Sequence, residues 1–357
     1  LLALPVNALF GWEIKSVIII TGLAVILYSM LGGIKAVIWT DTIQGIILIL
    51  GAITCALFLI FKMPGGAGRL FEIASEHNKF SLGSFGPSLR DSTFWVVLVY
   101  GLFINLQNYG IDQNYIQRYM SAGSVKEARF SALFGSLLYI PVSLLFFFIG
   151  TALFAYYTAQ PGLLPAELTL PGAGDKVFPH FIVTALPPGL TGLLIAAIFS
   201  AGMSTVSTSL NSTATIVLTD YYRKYFNKQA GEKASMNVLR ITSLVTGLLG
   251  ILIAILLVGV ESILDAWWAL ASIFSGGMLG LFLLGFIVKK SGKPEAITGV
   301  ILGVILIIWM SLSPILITED SMTAFRSPFH ANLTIVFGTM TIFLTGFLLT
   351  ILTKKKK

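Results

Sequence analysis

The most constraining feature of this sequence is a series of apolar runs, each long enough to cross a lipid bilayer. A spanning helix needs about 20 mostly apolar residues. Nine runs reach roughly that length, near residues 16–33, 36–61, 93–117, 130–157, 182–219, 237–259, 262–288, 295–316 and 331–353. Only 11% of the residues are charged, and the mean hydropathy is +0.89. The sequence therefore predicts an all-α polytopic membrane protein.

The chain opens inside a further apolar stretch, "LLALPVNALFGW", without an initiator methionine or a charged signal region. We expect this stretch to be the remainder of one more crossing, and the amino-terminal part of the protein to be absent. Because neighbouring spanning helices bury one another, residues 1–357 are predicted to form a single transmembrane domain without a soluble domain.

Basic residues mark alternate connecting segments, which gives the predicted orientation. They are Lys35, Arg118, Lys126, Arg129, Arg223, Lys224, Lys228, Lys233, Arg240, Lys289, Lys290, Lys293 and residues 354–357. Short loops rich in lysine and arginine remain in the cytoplasm. The sequence thus predicts a multi-pass protein of the plasma (inner) membrane with a cytoplasmic carboxyl terminus.

Several classes of function are disfavoured by the composition. The single cysteine, Cys55, lies in an apolar run, and His77, His180 and His330 fall in three separate connecting segments. Neither an internal disulfide nor a cysteine or histidine metal site is expected. The net charge of +7 comes from residues at helix ends, so it does not indicate nucleic acid binding.

One predicted span is unusually rich in hydroxyl groups, with ten serines and threonines between Ser200 and Thr219. In spanning helices such side chains often bond to the carbonyl four residues earlier, or allow close helix packing. Here Ala201, Ser204, Thr205, Thr208 and Asn211 share one helical face, with Ser207 on its flank. Hydroxyl and carbonyl oxygens suit a hard cation such as sodium.

Asp41 is an acidic residue inside a predicted span, which by default indicates an ion or proton pathway. It lies six residues after Lys35, about 9 Å along a helix, so a position at the membrane interface is an open alternative. Because Asp41 shares a face with Gln44 and Gly45, we expect it to contact protein rather than lipid.

The span at 93–117 contains too many amide and acid groups for a straight helix facing lipid. Gln107, Asn108, Asp112 and Gln113 are candidate substrate or gate contacts, with polar packing as the alternative, and Gly110 is the predicted break. Elsewhere, Gly276 and Gly280 are predicted to form a helix-packing face. Trp267 and Trp268, with Asp265, are predicted to anchor a helix at the interface.

Four stretches of the sequence are distinctive as a set: "GGIKAVIWTDTIQG", "DQNYIQRYMSAGSVKEAR", "FFFIGTALFAYYTAQPGLLPAEL" and "GLTGLLIAAIFSAGMSTVSTSLNS". Together they resemble the sodium/solute symporter family, and its bacterial sialic acid transporter branch in particular. The resemblance covers almost the entire chain. It implies a leucine-transporter-like helical bundle of two inverted repeats whose first helices are missing here: 1–61 as the rest of the first repeat, 93–288 as the second, and 295–353 as two accessory helices.

The resemblance also implies roles for particular residues. A shared sodium site would use the carbonyl of Ala201 and the hydroxyls of Ser204 and Thr205. A second sodium site, found in some members of the family, would use Asp41, Ser207 and Thr208.

The implied function is a sodium-coupled symporter that imports a small organic solute, such as sialic acid or another carboxylate, by alternating access. We expect sodium as the coupling ion, no other cofactor and no enzymatic activity. The expected partners are the solute, sodium and membrane lipid, with no nucleic acid, and the expected working unit is a monomer. A transporter-like sensor module and a proton-coupled solute transporter stay open as alternatives.

Overall fold

The computed structural model describes residues 3–170, 173–258, 277–317 and 324–354. Its helices are α1 (Ala3–Phe10), α2 (Ile14–Lys62), α3 (Gly66–Glu76), α4 (Phe94–Ile111), α5 (Gln113–Met120), α6 (Val125–Ala159), α7 (Gly174–Thr184), α8 (Pro188–Ile216), α9 (Glu232–Leu256), α10 (Gly277–Ile287), α11 (Lys293–Leu316) and α12 (Leu333–Lys354). Short 3-10 turns occupy Pro161–Leu163 and Ala166–Thr169. A π-helix over Val217–Phe226 continues α8.

Seven of the described helices are long and apolar enough to cross a membrane. Among them, α6, α9, α11 and α12 confirm the predicted spans at 130–157, 237–259, 295–316 and 331–353 within a few residues. Most of the span predicted at 262–288, including Asp265, Trp267, Trp268 and Gly276, lies outside the described residues. For the described part of the chain, the prediction of an all-α membrane protein is confirmed.

The helix α2 contains two predicted spans, 16–33 and 36–61, in 49 residues. At about 1.5 Å per residue it is more than twice as long as the bilayer core is thick. It bends at Gly33, whose φ of 57° and ψ of −159° only glycine adopts readily. A side chain at this position would strain the backbone.

Two predicted boundaries are wrong. The break in the span at 93–117 is at Asp112, which has the extended angles φ −70° and ψ 127°, while Gly110 lies within α4. The span predicted at 182–219 contains the end of α7 and, after a separate turn, α8. The reason for the second difference is the Pro187–Pro188 pair: Pro187 is extended, and Pro188 begins α8 at a position that needs no backbone N–H.

The chain divides into two compact units. The first consists of Leu1–Phe80 and Gln117–Glu261. Its α2 packs along α8, and also against α6 and α9. Gly51 of α2 permits this approach, since a Cβ there would lie 3.1 Å from both the Ala197 Cβ and a Leu194 methyl of α8. Its largest apolar core joins α2, α3, α6, α7 and α8, with Leu59, Ile73 and Phe181 almost fully buried.

The second unit consists of Ser81–Ile116 and Ser262–Lys357. Val96 of α4 packs there with Met310 of α11 and Val336 of α12. Gly280 of α10 lies against α12, where a Cβ would come within 2.6 Å of the Thr339 carbonyl oxygen. For Gly280, the predicted helix-packing role is therefore confirmed.

Candidate functional site

Most hydroxyls of α8 are satisfied by the helix that carries them. The Thr205 Oγ1 donates to the Ala201 carbonyl at 3.1 Å, and the Ser207 Oγ donates to the Ser204 carbonyl at 3.0 Å. Ser209, Ser212, Thr215 and Thr219 each bond to the carbonyl four residues earlier. These local bonds explain how the helix holds so many hydroxyls in an apolar setting.

Burial distinguishes the hydroxyls of α8. Ser207 is fully buried and Thr208 is 6% exposed, whereas Thr205 and Ser209 are exposed. On the apolar side of the helix, Leu210 packs against Val25 and Ile26 of α2. The face of α8 with the most deeply buried hydroxyls therefore includes Ser207 and Thr208.

Asp41 of α2 contacts this face directly. Thr208 donates its hydroxyl hydrogen to the Asp41 Oδ2 at 3.1 Å, and the Ser204 side chain approaches the same carboxylate. The Asp41 side chain is only 12% exposed. The structure thus brings together Asp41 and Thr208, which are 167 positions apart in sequence.

Arg118 of α5 completes this group and was missed by the sequence analysis, which treated it as a loop marker. Its Nη2 lies 2.5 Å from the Asp41 Oδ2 and donates to the Thr208 Oγ1 at 2.8 Å. The neighbouring Gln117 is buried and donates from its Nε2 to the Ser212 Oγ at 2.8 Å. The available signal was Asp41 itself, because a buried acid requires a partner of opposite charge.

The surroundings of Asp41 contain further polar atoms. Tyr28, on the other side of the bend in α2, donates its hydroxyl hydrogen to the Met203 carbonyl at 3.2 Å. Two buried acceptors, the Asp41 Oδ1 and the Gln44 Oε1, receive no hydrogen bond from the described residues. Unsatisfied acceptors are unfavourable in an apolar interior, and they are the type of atom that a hard cation binds.

The three residues of the other sodium-site prediction, Ala201, Ser204 and Thr205, occupy little more than one turn of α8. Ala201 and Ser204 are half-buried, and Thr205 is exposed. Ser204 approaches Asp41, so it adjoins both predicted ion sites. No cluster of three or more His, Cys, Asp or Glu side chains is present in the described ranges.

The polar residues of α4 and α5 differ from one another in role. Asp112 is the N-cap of α5, since its Oδ1 accepts from the Asn114 N–H at 2.7 Å, and its own N–H bonds to the Gln107 carbonyl. Gln107 is 3% exposed, and its Oε1 has no partner among the described residues. Asn108 and Gln113 are half-buried.

Comparison with known proteins places the chain in a family. The family model described as "Sodium:solute symporter family" matches residues 3–303. The chain belongs to the sodium:solute symporter family. Members and relatives found in these comparisons are transporters, in agreement with the apolar helices described above.

Two of the bacterial relatives are sialic acid symporters by name. The sodium/sialic acid symporter SiaT of Proteus mirabilis is 35% identical over 311 residues, which cover 86% of this chain and 62% of that protein. The sodium/sialic acid symporter NanT of Aliivibrio fischeri is 34% identical over 297 residues, covering 82% of this chain and 58% of that protein. The chain thus spans about three fifths of the length of these relatives.

A solved structure of a Na+-coupled sialic acid symporter, in a substrate-bound outward-open state with a novel Na+ site, superposes with a TM-score of 0.85. The two sequences are 30% identical, and the match covers 98% of this chain and 69% of that one. The chain therefore has the leucine-transporter-like helical fold of this symporter family.

Proposed function

We propose that this chain is part of a sodium-coupled secondary active symporter that imports a small organic acid, of the sialic acid class, by alternating access. The observation that supports this most is the meeting of Asp41 and Thr208 across the α2–α8 contact. A buried carboxylate beside hydroxyl oxygens is a suitable set of ligands for Na+.

Two sodium positions are proposed on α8. The first uses the Ala201 carbonyl with the Ser204 and Thr205 hydroxyls, and the Thr205–Ala201 hydrogen bond supports it by holding two of these oxygens 3.1 Å apart. The second uses Asp41 with Ser207 and Thr208. It is supported by the burial of both hydroxyls and by the free Asp41 Oδ1.

The energy of the proposed cycle is consistent with nutrient uptake. One positive charge crossing 100 mV contributes about 2.3 kcal/mol, and a tenfold sodium gradient contributes about 1.4 kcal/mol. Together, about 3.7 kcal/mol sustains accumulation of a neutral solute by roughly a few hundredfold. A substrate with one negative charge cancels the electrical contribution of one sodium ion. A second bound sodium ion, at Asp41, restores it.

The substrate class is proposed from the relatives, two of which are sialic acid symporters by name. Gln107, Asn108, Asp112 and Gln113 are the proposed substrate or gate residues. Gln107 is supported by its buried, unpartnered Oε1. We further propose repeats at 1–61 and 93–288, accessory helices at 295–353, a monomer as the working unit, and a bacterial-type inner-membrane location with a cytoplasmic carboxyl terminus.

The test is uptake by the purified protein in liposomes. Radiolabelled sialic acid, a monocarboxylate, glucose and proline are each offered with an inward gradient of sodium, or of potassium at the same pH. Sodium-dependent uptake of sialic acid supports the proposal. Uptake that follows an imposed pH gradient, and not sodium, would favour the proton-coupled alternative.

A further inference from the structure

We infer that Arg118 is a tethered cation that occupies the second sodium site when sodium is absent and competes with sodium for it. The inference rests on the proposed function, since it concerns regulation of the Asp41 site. Its geometric basis is that Arg118 Nη2 bonds to both Asp41 Oδ2 and Thr208 Oγ1, which are two of the oxygens proposed to bind Na+.

Sodium and the guanidinium cannot share these atoms favourably. A sodium ion on the Asp41 Oδ2 would lie within about 4 Å of the Arg118 nitrogen, where two positive charges in a low-dielectric site repel strongly. The Thr208 hydroxyl has only two lone pairs, and one already receives the Arg118 hydrogen. Sodium at the Asp41 Oδ2 and the Thr208 Oγ1 therefore competes with the guanidinium for these two oxygens.

The surroundings of Arg118 allow it to leave by rotation of its side chain. Its side chain is 40% exposed, in contrast to 12% for Asp41, so the arginine side chain is less enclosed by the described residues than the carboxylate it contacts. The preceding residue, Gln117, is fixed to Ser212 of α8 by a buried hydrogen bond. Rotation of the Arg118 side chain leaves this hydrogen bond intact, so the arginine head is the part that moves.

The exchange of one cation for another has a consequence for the transport cycle. An uncompensated carboxylate in the interior is strongly unfavourable, and Asp41 is paired in both states, with Arg118 or with sodium. The ion-free protein can thus change conformation without an unpaired buried charge. Arg118 lowers sodium affinity and in exchange supports the return of the empty transporter.

The test compares Arg118→Gln with Arg129→Gln, which removes an exposed positive charge of α6 and serves as the matched control. For Arg118→Gln we expect the sodium concentration for half-maximal uptake to fall by about tenfold, the factor that corresponds to about 1.4 kcal/mol of lost competition. Net uptake of the solute should slow relative to sodium-dependent exchange of internal for external solute, because only net uptake requires the return of the empty transporter. Arg129→Gln should match the wild type in both respects. An unchanged or higher half-saturation concentration in Arg118→Gln would overturn the inference.

A second measurement retains the charge, so it remains decisive if Arg118→Gln does not fold. In Arg118→Lys, the amine at position 118 is labelled with a water-soluble reagent and quantified by mass spectrometry. We expect sodium, but not potassium, to accelerate labelling at this position severalfold while Lys126, an exposed residue of α6, is unaffected. Sodium-independent labelling contradicts the displacement. If wild-type uptake itself lacks sodium dependence, the proposed function fails instead.

Discussion

Asp41 is the residue whose environment gives the proposed second sodium site most support. It is an acid within a long apolar helix, and its charge is compensated by Arg118 while its Oδ1 accepts no hydrogen bond from the described residues. A purely structural ion pair would gain from satisfying both oxygens. The free oxygen therefore favours a role in binding.

Replacement of Asp41 by asparagine preserves the shape of the side chain and removes its charge. If Asp41 binds a second sodium ion, Asp41→Asn should lower the Hill coefficient for sodium to about 1, with transport partly retained at the first site. The measurement is initial uptake as a function of sodium concentration. A Hill coefficient equal to that of the wild type would return Asp41 to a structural role.

For single residues, the sequence predicted the candidates better than it predicted their contacts. Asp41 and the α8 hydroxyls were identifiable because polar groups within apolar runs are rare. Arg118 was missed because it is 77 positions from Asp41 and lies among other basic residues near a loop. Which hydroxyls are buried could not be predicted either, since that depends on the packing of α8 against α2.

Among the helices, α5 depends on Asp112 for its start. The Asp112 side chain caps the Asn114 N–H, and α5 continues to Gln117 and Arg118. We expect Asp112→Ala to destabilise this helix by about 1 kcal/mol and, by weakening the hold of Arg118 on the sodium site, to increase sodium affinity, whereas Asp112→Asn, which can still cap, should leave both properties unchanged. Thermostability and uptake are the measurements. Loss of transport in Asp112→Asn would show instead that the charge contacts substrate.

The α10–α12 contact provides a test of helix packing. A Cβ at Gly280 would lie 2.6 Å from the Thr339 carbonyl oxygen and 2.9 Å from the Ile342 Cβ, whereas nothing lies within 4 Å of a Cβ at Gly285. We expect Gly280→Ala to destabilise the protein by about 1–3 kcal/mol and Gly285→Ala to leave it equally stable or more stable. The apparent melting temperature in detergent distinguishes them. Equal losses in both variants would contradict the close α10–α12 approach.

The sequence predicted helices more accurately than their interruptions. Hydrophobic length alone identifies α6, α9, α11 and α12 as helices of membrane-spanning length, so their positions were predictable. The break at Asp112 was not, because a side-chain cap ends one helix and begins the next more effectively than the glycine at position 110. The Pro187–Pro188 pair before α8 also indicated an interruption, but the apolar run continues across it and hydropathy alone predicted one span.

For the whole molecule, the proposed mechanism is one in which sodium binding at the α2–α8 site supplies the free energy for uptake. If sialic acid carries one negative charge, transport with two sodium ions moves one net positive charge inward. An inside-negative potential of 100 mV should then increase the accumulation at equilibrium by about 50-fold. Accumulation that is independent of potential would exclude this stoichiometry.

Oxygens of α8 are proposed to bind the sodium ion that drives transport. Sodium-stimulated uptake by the Ser204→Ala, Thr205→Ala double variant in liposomes tests this proposal. The matched control is Ser209→Ala, which removes an exposed hydroxyl of the same helix. The proposed site predicts that the double variant loses sodium stimulation while Ser209→Ala retains it. Undiminished sodium-driven uptake by the double variant would contradict the claim.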